Sequence, residues 1–287
     1  MIPPVRIAHR GASGSGLAPE NTLAAFEKAI ELGVDAIEID VHATADNYIV
    51  VLHDGTLDRT TDRQGAVRMM SLSQVRQADA GAWRGAAFVG ERVPMLQEVL
   101  ELARNRVVVL IEIKATHITE RVLHIVSSMR ADDQVVIQSF DAETVRRVRA
   151  LDAGIPTAWL VGRVTPAPAR LRARRMMRQG LRLGANALSV WHGALTPVVV
   201  DELRRRAMTL WAWTVDEDIV MRDLIAMGVQ GIITNYPDRL NEVVENLPGS
   251  DPIHWLLNRR QRPLRTRWAR RRRLRRLEAA TASPARR

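Results

Sequence analysis

The chain has 287 residues, 46% of them hydrophobic and none of them cysteine, enough for one large domain or two small ones around a sizeable core. Without cysteine there are no disulfides, no thiolate zinc sites and no cysteine nucleophile; no apolar run approaches the roughly 18 residues that span a bilayer. The formal charge of +10 is concentrated at the C-terminus: residues 259–287 hold 13 arginines and one acid, Glu278, and residues 1–258 hold 29 basic against 31 acidic groups. The body is thus near neutral, and the basicity is that of a C-terminal tail. The opening MIPPVRIAHRG lacks the charged start and apolar stretch of a secretory signal, so the cytoplasm is the expected location.

Taken in chain order, VRIAHR (5–10) reads as a strand. ENTLAAFEKAIELG follows with apolar Leu23, Phe26, Ala29 and Ile30 on one face, Asn21 as N-cap and Gly33 as the stop, an amphipathic helix. AIEIDV (36–41) is the next strand, with a short one at Ile49–Leu52. Further strand-like runs fall at 107–113, 135–140, 157–161, 187–191, 209–215 and 231–234, with helical stretches at 94–104, 117–130, 141–151, 166–183, 196–207, 216–227 and 237–247. Eight strand–helix units match a (β/α)8 barrel, and the continuous β-branched strands suit a parallel sheet covered on both faces. A doubly wound sheet is the alternative.

Two segments break the rhythm. About 50 residues, 43–93, separate the second strand from its helix, and a connection that long is usually functional; it reads as a small insertion at the barrel mouth. From Pro248 the chain loses its helical apolar periodicity and becomes rich in arginine. The expected division is a barrel over 1–247 and a flexible tail over 248–287.

A parallel barrel carries its chemistry at the C-terminal ends of its strands. His9 and Arg10 end the first, Glu38 and Asp40 the second, Glu112 and Lys114 the third, and His53 the short inserted one. Residues two apart on a strand share a face, so three carboxylates converge on one mouth. Such a set suits a hard divalent cation, Mg2+ or Ca2+, which would neutralise Glu38 and Asp40 together. Zinc fits less well, because the histidines stand in HR and HD contexts suited to proton transfer. Lys114 is one of two lysines against 40 arginines, a hint that an amine is wanted there. Ser139 ends the fourth strand and is a weaker candidate. His42, His117, His124 and His192 read as surface or packed residues, and Met69, Met70, Met176 and Met177 as packing.

The series HRGASG, APENTLAAFEKAIELGVDAIEIDVHATAD, IVVLHD and LDRTT, continued by VPMLQEVLEL, VLIEIK, QSFDAETV, WAWTVDE and GVQGIITNYPDRL, resembles the glycerophosphodiester phosphodiesterase family over about residues 5–246. The resemblance implies a (β/α)8 barrel with an insertion after strand two and hydrolysis of a glycerophosphodiester to glycerol 3-phosphate and an alcohol. It implies metal ligation by Glu38, Asp40 and Glu112, with His9 and His53 as the acid–base pair. The implied route is attack by the substrate's own glycerol 2-hydroxyl, followed by opening of a cyclic phosphate by water. Arg10 and Lys114 would neutralise the phosphate, Arg10 holding two oxygens at once. Glu20 and Asn21, in the stretch matching PENT, would border the site, with a purely capping Asn21 as the rival reading. Trp213 would line the mouth, or belong to the core. Asn235 stands where the family usually has Asp, and Asn47 and Tyr48 where a glycine turn is common; these departures touch alcohol specificity.

The arginines of 259–276, with Trp255 and Trp268 nearby, suit peripheral contact with an anionic membrane; nucleic acid is the less favoured partner, and a simply solvated tail is the plain alternative. Besides a small soluble phosphodiester, a lysophospholipid fits as substrate. The rival of a different class is a non-catalytic barrel acting through its tail. The sequence carries no signal for an oligomeric state.

Overall fold

In the computed structural model, residues 3–247 are described; the arginine-rich segment expected at 248–287 lies outside the described residues. One compact unit spans Ile2–Val244. It is built on strands β1 (Val5–His9), β2 (Ala36–Ala43), β4 (Val108–Ile113), β5 (Val135–Ser139), β6 (Thr157–Val161), β7 (Ala187–Trp191), β8 (Thr209–Trp213) and β9 (Gly231–Thr234), with β3 (Ile49–Val51) folded back on β2. The eight principal strands pair in parallel in the order β1-β9-β8-β7-β6-β5-β4-β2, and β1 pairs with β2 as well. That last pairing closes the sheet into a barrel and removes the doubly wound alternative, whose sheet has two open edges.

Helices α1 (Leu23–Glu31), α3 (Leu96–Ala103), α4 (Thr119–Ser128), α5 (Ala142–Leu151), α6 (Ala169–Leu183), α7 (Pro197–Arg204), α8 (Asp218–Met227) and α9 (Pro237–Glu245) follow the barrel strands; the short α2 (Leu72–Val75) belongs to the insertion. Helix ends follow local chemistry: Asp141 and Thr196 cap α5 and α7 with side-chain oxygens, and Gly184 and Gly228 terminate α6 and α8 in the left-handed region. At α1 the cap is Thr22, which accepts from the Ala25 N–H, not Asn21 as expected. Among the described residues, no helix is long and apolar enough to cross a membrane.

Strand alternation divides the core in two. Outward residues Ile37, Ile39, Val41, Val109, Ile111 and Ile113 pack against helical residues such as Phe26, Leu96, Leu100 and Val122. Inward residues Ile7, Ala36, Leu110 and Ile233 pack with Val108, Val136, Trp211 and Trp213 inside the barrel. The insertion has its own small core of Val50, Leu52, Leu57, Val67, Val75, Ala78, Ala80 and Val93, so it is a packed element, not a loose loop. Met176 and Met177 are buried as expected, but Met69 is 69% exposed: it falls on a single 3₁₀ turn, Val67–Met69, whose one buried residue is Val67.

Candidate active site

Continuing each inward row upward by two residues leads from Ile7 to His9, from Ala36 to Glu38 and Asp40, from Leu110 to Glu112, and from Val136 to Gln138. The register brings these rows together, with His9 opposite Glu38, Asp40 opposite Glu112 and Glu112 opposite Gln138. An apolar barrel floor thus gives way to a polar mouth through period-two alternation alone.

Glu38, Asp40 and Glu112 are 1%, 0% and 7% exposed, and one carboxylate oxygen from each lies within 4.8 Å of the others. Arg10 Nε is 3.2 Å from Asp40 Oδ2, and Lys114 Nζ is 2.8 Å from Asp40 Oδ1 and 2.7 Å from Glu112 Oε1. Glu38 accepts from the Arg10 backbone N–H at 3.2 Å and from Gln138 Nε2 at 3.1 Å. Two cations face three acids, and the imbalance is felt as proton affinity. Burial and the neighbouring Asp40 and Glu112 charges push Glu38 well above the usual carboxylate range. Burial and Asp40 push Glu112 up to about 7. Burial works on Asp40 in the same direction, but Lys114 and Arg10 override it and hold that carboxyl well below the usual range.

The turn after β1 is left-handed at Arg10 (φ 57°) and Gly11 (φ 82°). A Cβ at Gly11 would lie 2.6 Å from the Ala25 carbonyl carbon, so the motif glycine lets α1 lie against the end of β1. Gly11→Ala is expected to cost roughly 2–5 kcal/mol from backbone strain and overpacking together, read as a lowered midpoint in urea unfolding; an unchanged midpoint would contradict this packing account.

His9 Nδ1 is 2.7 Å from Asn235 Oδ1, and its Nε2 is 4.0 Å from Glu38 Oε2. Burial, then the Arg10 charge, lower its pKa to about 4, so the ring is neutral at pH 7. His53 is half-buried, with Nδ1 2.6 Å from Asp54 Oδ1; burial lowers its pKa too, against the pull of Asp40. Each histidine therefore has an oxygen partner on Nδ1, which leaves Nε2 free for chemistry. Arg59 donates to Asp54 at 2.6 Å and to both oxygens of Glu20, at 2.8 and 2.9 Å, and Glu20 also accepts from Arg10 at 2.9 Å. This chain of charges ties the insertion to the turn after β1.

Asn21, also left-handed (φ 57°), turns its side chain to Asp40, donating from Nδ2 at 2.9 Å and accepting the Asp40 N–H at 3.4 Å. Trp213 is not joined to this network. Its indole N–H donates to the Ser189 carbonyl at 2.9 Å, and its ring meets Phe140 edge-on at 5.4 Å. Ser139 faces away, donating to the Ile113 carbonyl. His42 is 3.1 Å from the His53 carbonyl and supports the inserted strand. Gln138, Asp54, Arg59 and Asp216 escaped the sequence reading. Gln138 had a signal, since it is the polar residue two beyond inward Val136. Asp54, Arg59 and Asp216 stand in the IVVLHD, LDRTT and WAWTVDE stretches, but the partners of Arg59 and Asp216 at the site, Glu20 and Asn235, are brought to them only by folding.

A family model described as the glycerophosphoryl diester phosphodiesterase family matches residues 9–239. A glycerophosphodiester phosphodiesterase of Caldanaerobacter subterraneus subsp. tengcongensis is 36% identical over 246 residues, covering 83% of this chain and 96% of that protein. Another, from Bacillus subtilis, is 31% identical over 261 residues, covering 83% and 85%. Among solved structures, an Oleispira antarctica phosphodiesterase in complex with the product sn-glycerol-3-phosphate has a TM-score of 0.76 at 25% identity, covering 85% of this chain and 97% of that one. Agreement of sequence and barrel over almost the whole described region makes this chain a member of the glycerophosphodiester phosphodiesterase family, an enzyme that hydrolyses glycerophosphodiesters.

Proposed function

We propose that the barrel, residues 1–247, is the catalytic unit, and that it releases glycerol 3-phosphate and an alcohol by His acid–base catalysis with one divalent cation, Mg2+ or Ca2+. On this reading Glu38, Asp40 and Glu112 hold the cation, Arg10 and Lys114 bind the phosphate, and Glu20, Asn21 and Trp213 border the substrate. The observation that carries it is the buried oxygen triad, whose charge Arg10 and Lys114 do not balance. When bound, the cation supplies charge neutralisation of the phosphate, worth several kcal/mol in such reactions.

The histidine partners support a division of labour. His9, beside the neutral amide of Asn235, serves as base: its Nε2 takes the proton of the glycerol 2-hydroxyl as that oxygen attacks phosphorus. His53, beside the carboxylate of Asp54, is the better imidazolium and gives its proton to the departing alcohol oxygen. In the second step water opens the cyclic phosphate with the roles reversed, which returns both rings to their starting protonation.

The test is glycerol 3-phosphate release from glycerophosphocholine, glycerophosphoethanolamine, glycerophosphoglycerol and a lysophospholipid, each with Mg2+, with Ca2+ and with chelator. Release that the chelator abolishes is the expected result, and its ranking names the alcohol. Release that survives chelation would sink the cation reading.

Proton competition gives a second check. Glu112 holds its proton up to about pH 7 in the folded protein, against an ordinary value of 4.5. Its contribution to stability is therefore complete below about 4.5 and is lost as pH rises through about 7. A cation needs the ionised carboxylates, so its stabilising effect should be small at pH 5 and grow through pH 7, reaching about 2.7 kcal/mol at a hundred times Kd. Thermal melts with and without Mg2+ or Ca2+ at pH 5 and pH 8 measure it; equal shifts at both would remove Glu112 from the ligand set.

A further inference from the structure

Behind His9 lies a hydrogen-bond chain whose direction is fixed from its far end. The Asn235 backbone N–H donates to Asp216 Oδ1 at 2.9 Å. The Thr234 hydroxyl, which accepts from the Tyr236 N–H at 3.0 Å, donates to the same oxygen at 3.2 Å. Asn235 Nδ2 donates to Asp216 Oδ2 at 2.7 Å. A carboxylate receiving three donors only accepts, so the Asn235 amide has one allowed orientation, with its oxygen towards His9. That oxygen is 2.7 Å from His9 Nδ1 and accepts there, and Ser13 Oγ lies 3.1 Å from it. His9 must then carry its proton on Nδ1 and present a bare Nε2 on the side of Glu38.

We propose that Asp216 and Asn235 are positioning residues which set the tautomer of His9 through the chain Asp216–Asn235–His9. Neither touches the reacting atoms. The inference rests on His9 acting as base for its catalytic meaning, but its structural content stands apart from that role. Asp216 sits beyond the end of β8, and Asn235 just beyond β9, next to β1 in the barrel. The relay therefore runs from the end of β8 over β9 to β1, joining the last two strands of the barrel to the first.

Asp216→Asn makes the prediction sharp. The backbone N–H of residue 235 cannot reverse, so the new amide keeps its oxygen there and turns its NH2 towards the Asn235 NH2. Two donors 2.7 Å apart repel, and the Asn235 amide turns over. Its NH2 then faces His9 Nδ1, which must become the acceptor, and the proton moves to Nε2, where it blocks the base. The exchanged pair Asp216→Asn with Asn235→Asp restores every donor and acceptor: the amide at 216 donates to the carboxylate at 235, which accepts from His9.

The experiment uses the full chain labelled with 15N-histidine, with the His9 ring signals assigned by their loss in His9→Gln. Wild type is expected to show the Nδ1–H tautomer, Asp216→Asn the Nε2–H tautomer, and the double variant Nδ1–H again. Turnover should fall by about 10–100-fold in Asp216→Asn, mainly in kcat with KM little changed, and recover in the double variant. Should Asp216→Asn fail to fold, Asn235→Asp alone, which keeps an acceptor on His9, should retain Nδ1–H. An Nε2–H ring in wild type, or in folded Asn235→Asp, would overturn the relay. So would a folded Asp216→Asn with the wild-type tautomer and rate, or a folded double variant that stays inactive. If His9→Gln itself turns over normally, the acid–base reading falls while the tautomer pattern still judges the relay.

Discussion

His9→Ala is expected to lower the turnover of a glycerophosphodiester by about 10²–10⁴-fold, the span of one general base, with the melting temperature barely changed. The side chain sits where the inward row of β1 leaves the apolar floor and enters the polar mouth, and its contacts there are the Asn235 amide and the edge of Glu38. Its removal takes away the hydrogen bond to Asn235 from a polar mouth, so stability should move far less than the rate. The rate does: with burial and Arg10 holding its pKa near 4, the ring is a free base at neutral pH beside the acid cluster. His53→Ala should fall by a comparable factor, because Asp54 at 2.6 Å makes that ring the better proton donor. Rates are measured at saturating substrate and cation, with circular dichroism to establish folding. A near-normal rate in either variant would remove that histidine from the acid–base pair.

Asp40→Asn should be comparably damaging, and by a different route. Asp40 is the one carboxyl of the triad that its neighbours hold ionised; Glu38 and Glu112 are both pushed towards the protonated form. It is also the joint of the site, contacting Lys114 Nζ at 2.8 Å, Arg10 Nε at 3.2 Å and Asn21 Nδ2 at 2.9 Å. An amide there lowers cation affinity and turns Arg10 and Lys114 towards the remaining acids instead of a phosphate. The expected loss of turnover at fixed cation is on the order of 10³-fold, equivalent to several kcal/mol of transition-state charge stabilisation. Stability should drop far less than for an ordinary broken buried pair, because removing one charge relieves the repulsion that raises Glu38 and Glu112. Calorimetric titration with Mg2+ and Ca2+, beside the turnover assay, measures this; wild-type affinity and rate would overturn the assignment.

Much of the site was legible because strands advertise their faces. Glu38 with Asp40, and Glu112 with Lys114, are two apart on apolar strands, and period-two alternation sends each pair to one side whatever the tertiary fold. Asn21 is instructive in the other direction. Its position before a helix invites a capping role, yet Thr22 caps α1 and Asn21 uses its left-handed backbone to reach Asp40. No local rule distinguishes the two, since Asn suits both an N-cap and a left-handed turn. Trp213 shows the same limit: its place at the end of β8 was readable, but the commitment of its N–H to the Ser189 carbonyl was not.

By itself, then, the sequence determined the strand–helix alternation, the order of the eight units, the insertion after the second strand and the residue types at each strand end, because these follow from short-range periodicity and chain order. Tertiary structure alone decided that β1 pairs with both β2 and β9, and everything that closure brings with it. It stacks Asp40 level with Glu112 and Gln138, hands Asn235 to His9 across 226 positions of chain, and ties Glu20 to Arg59. Those contacts depend on strand register and barrel closure, which are set by the packing of all the strands at once and are written in no single stretch of sequence.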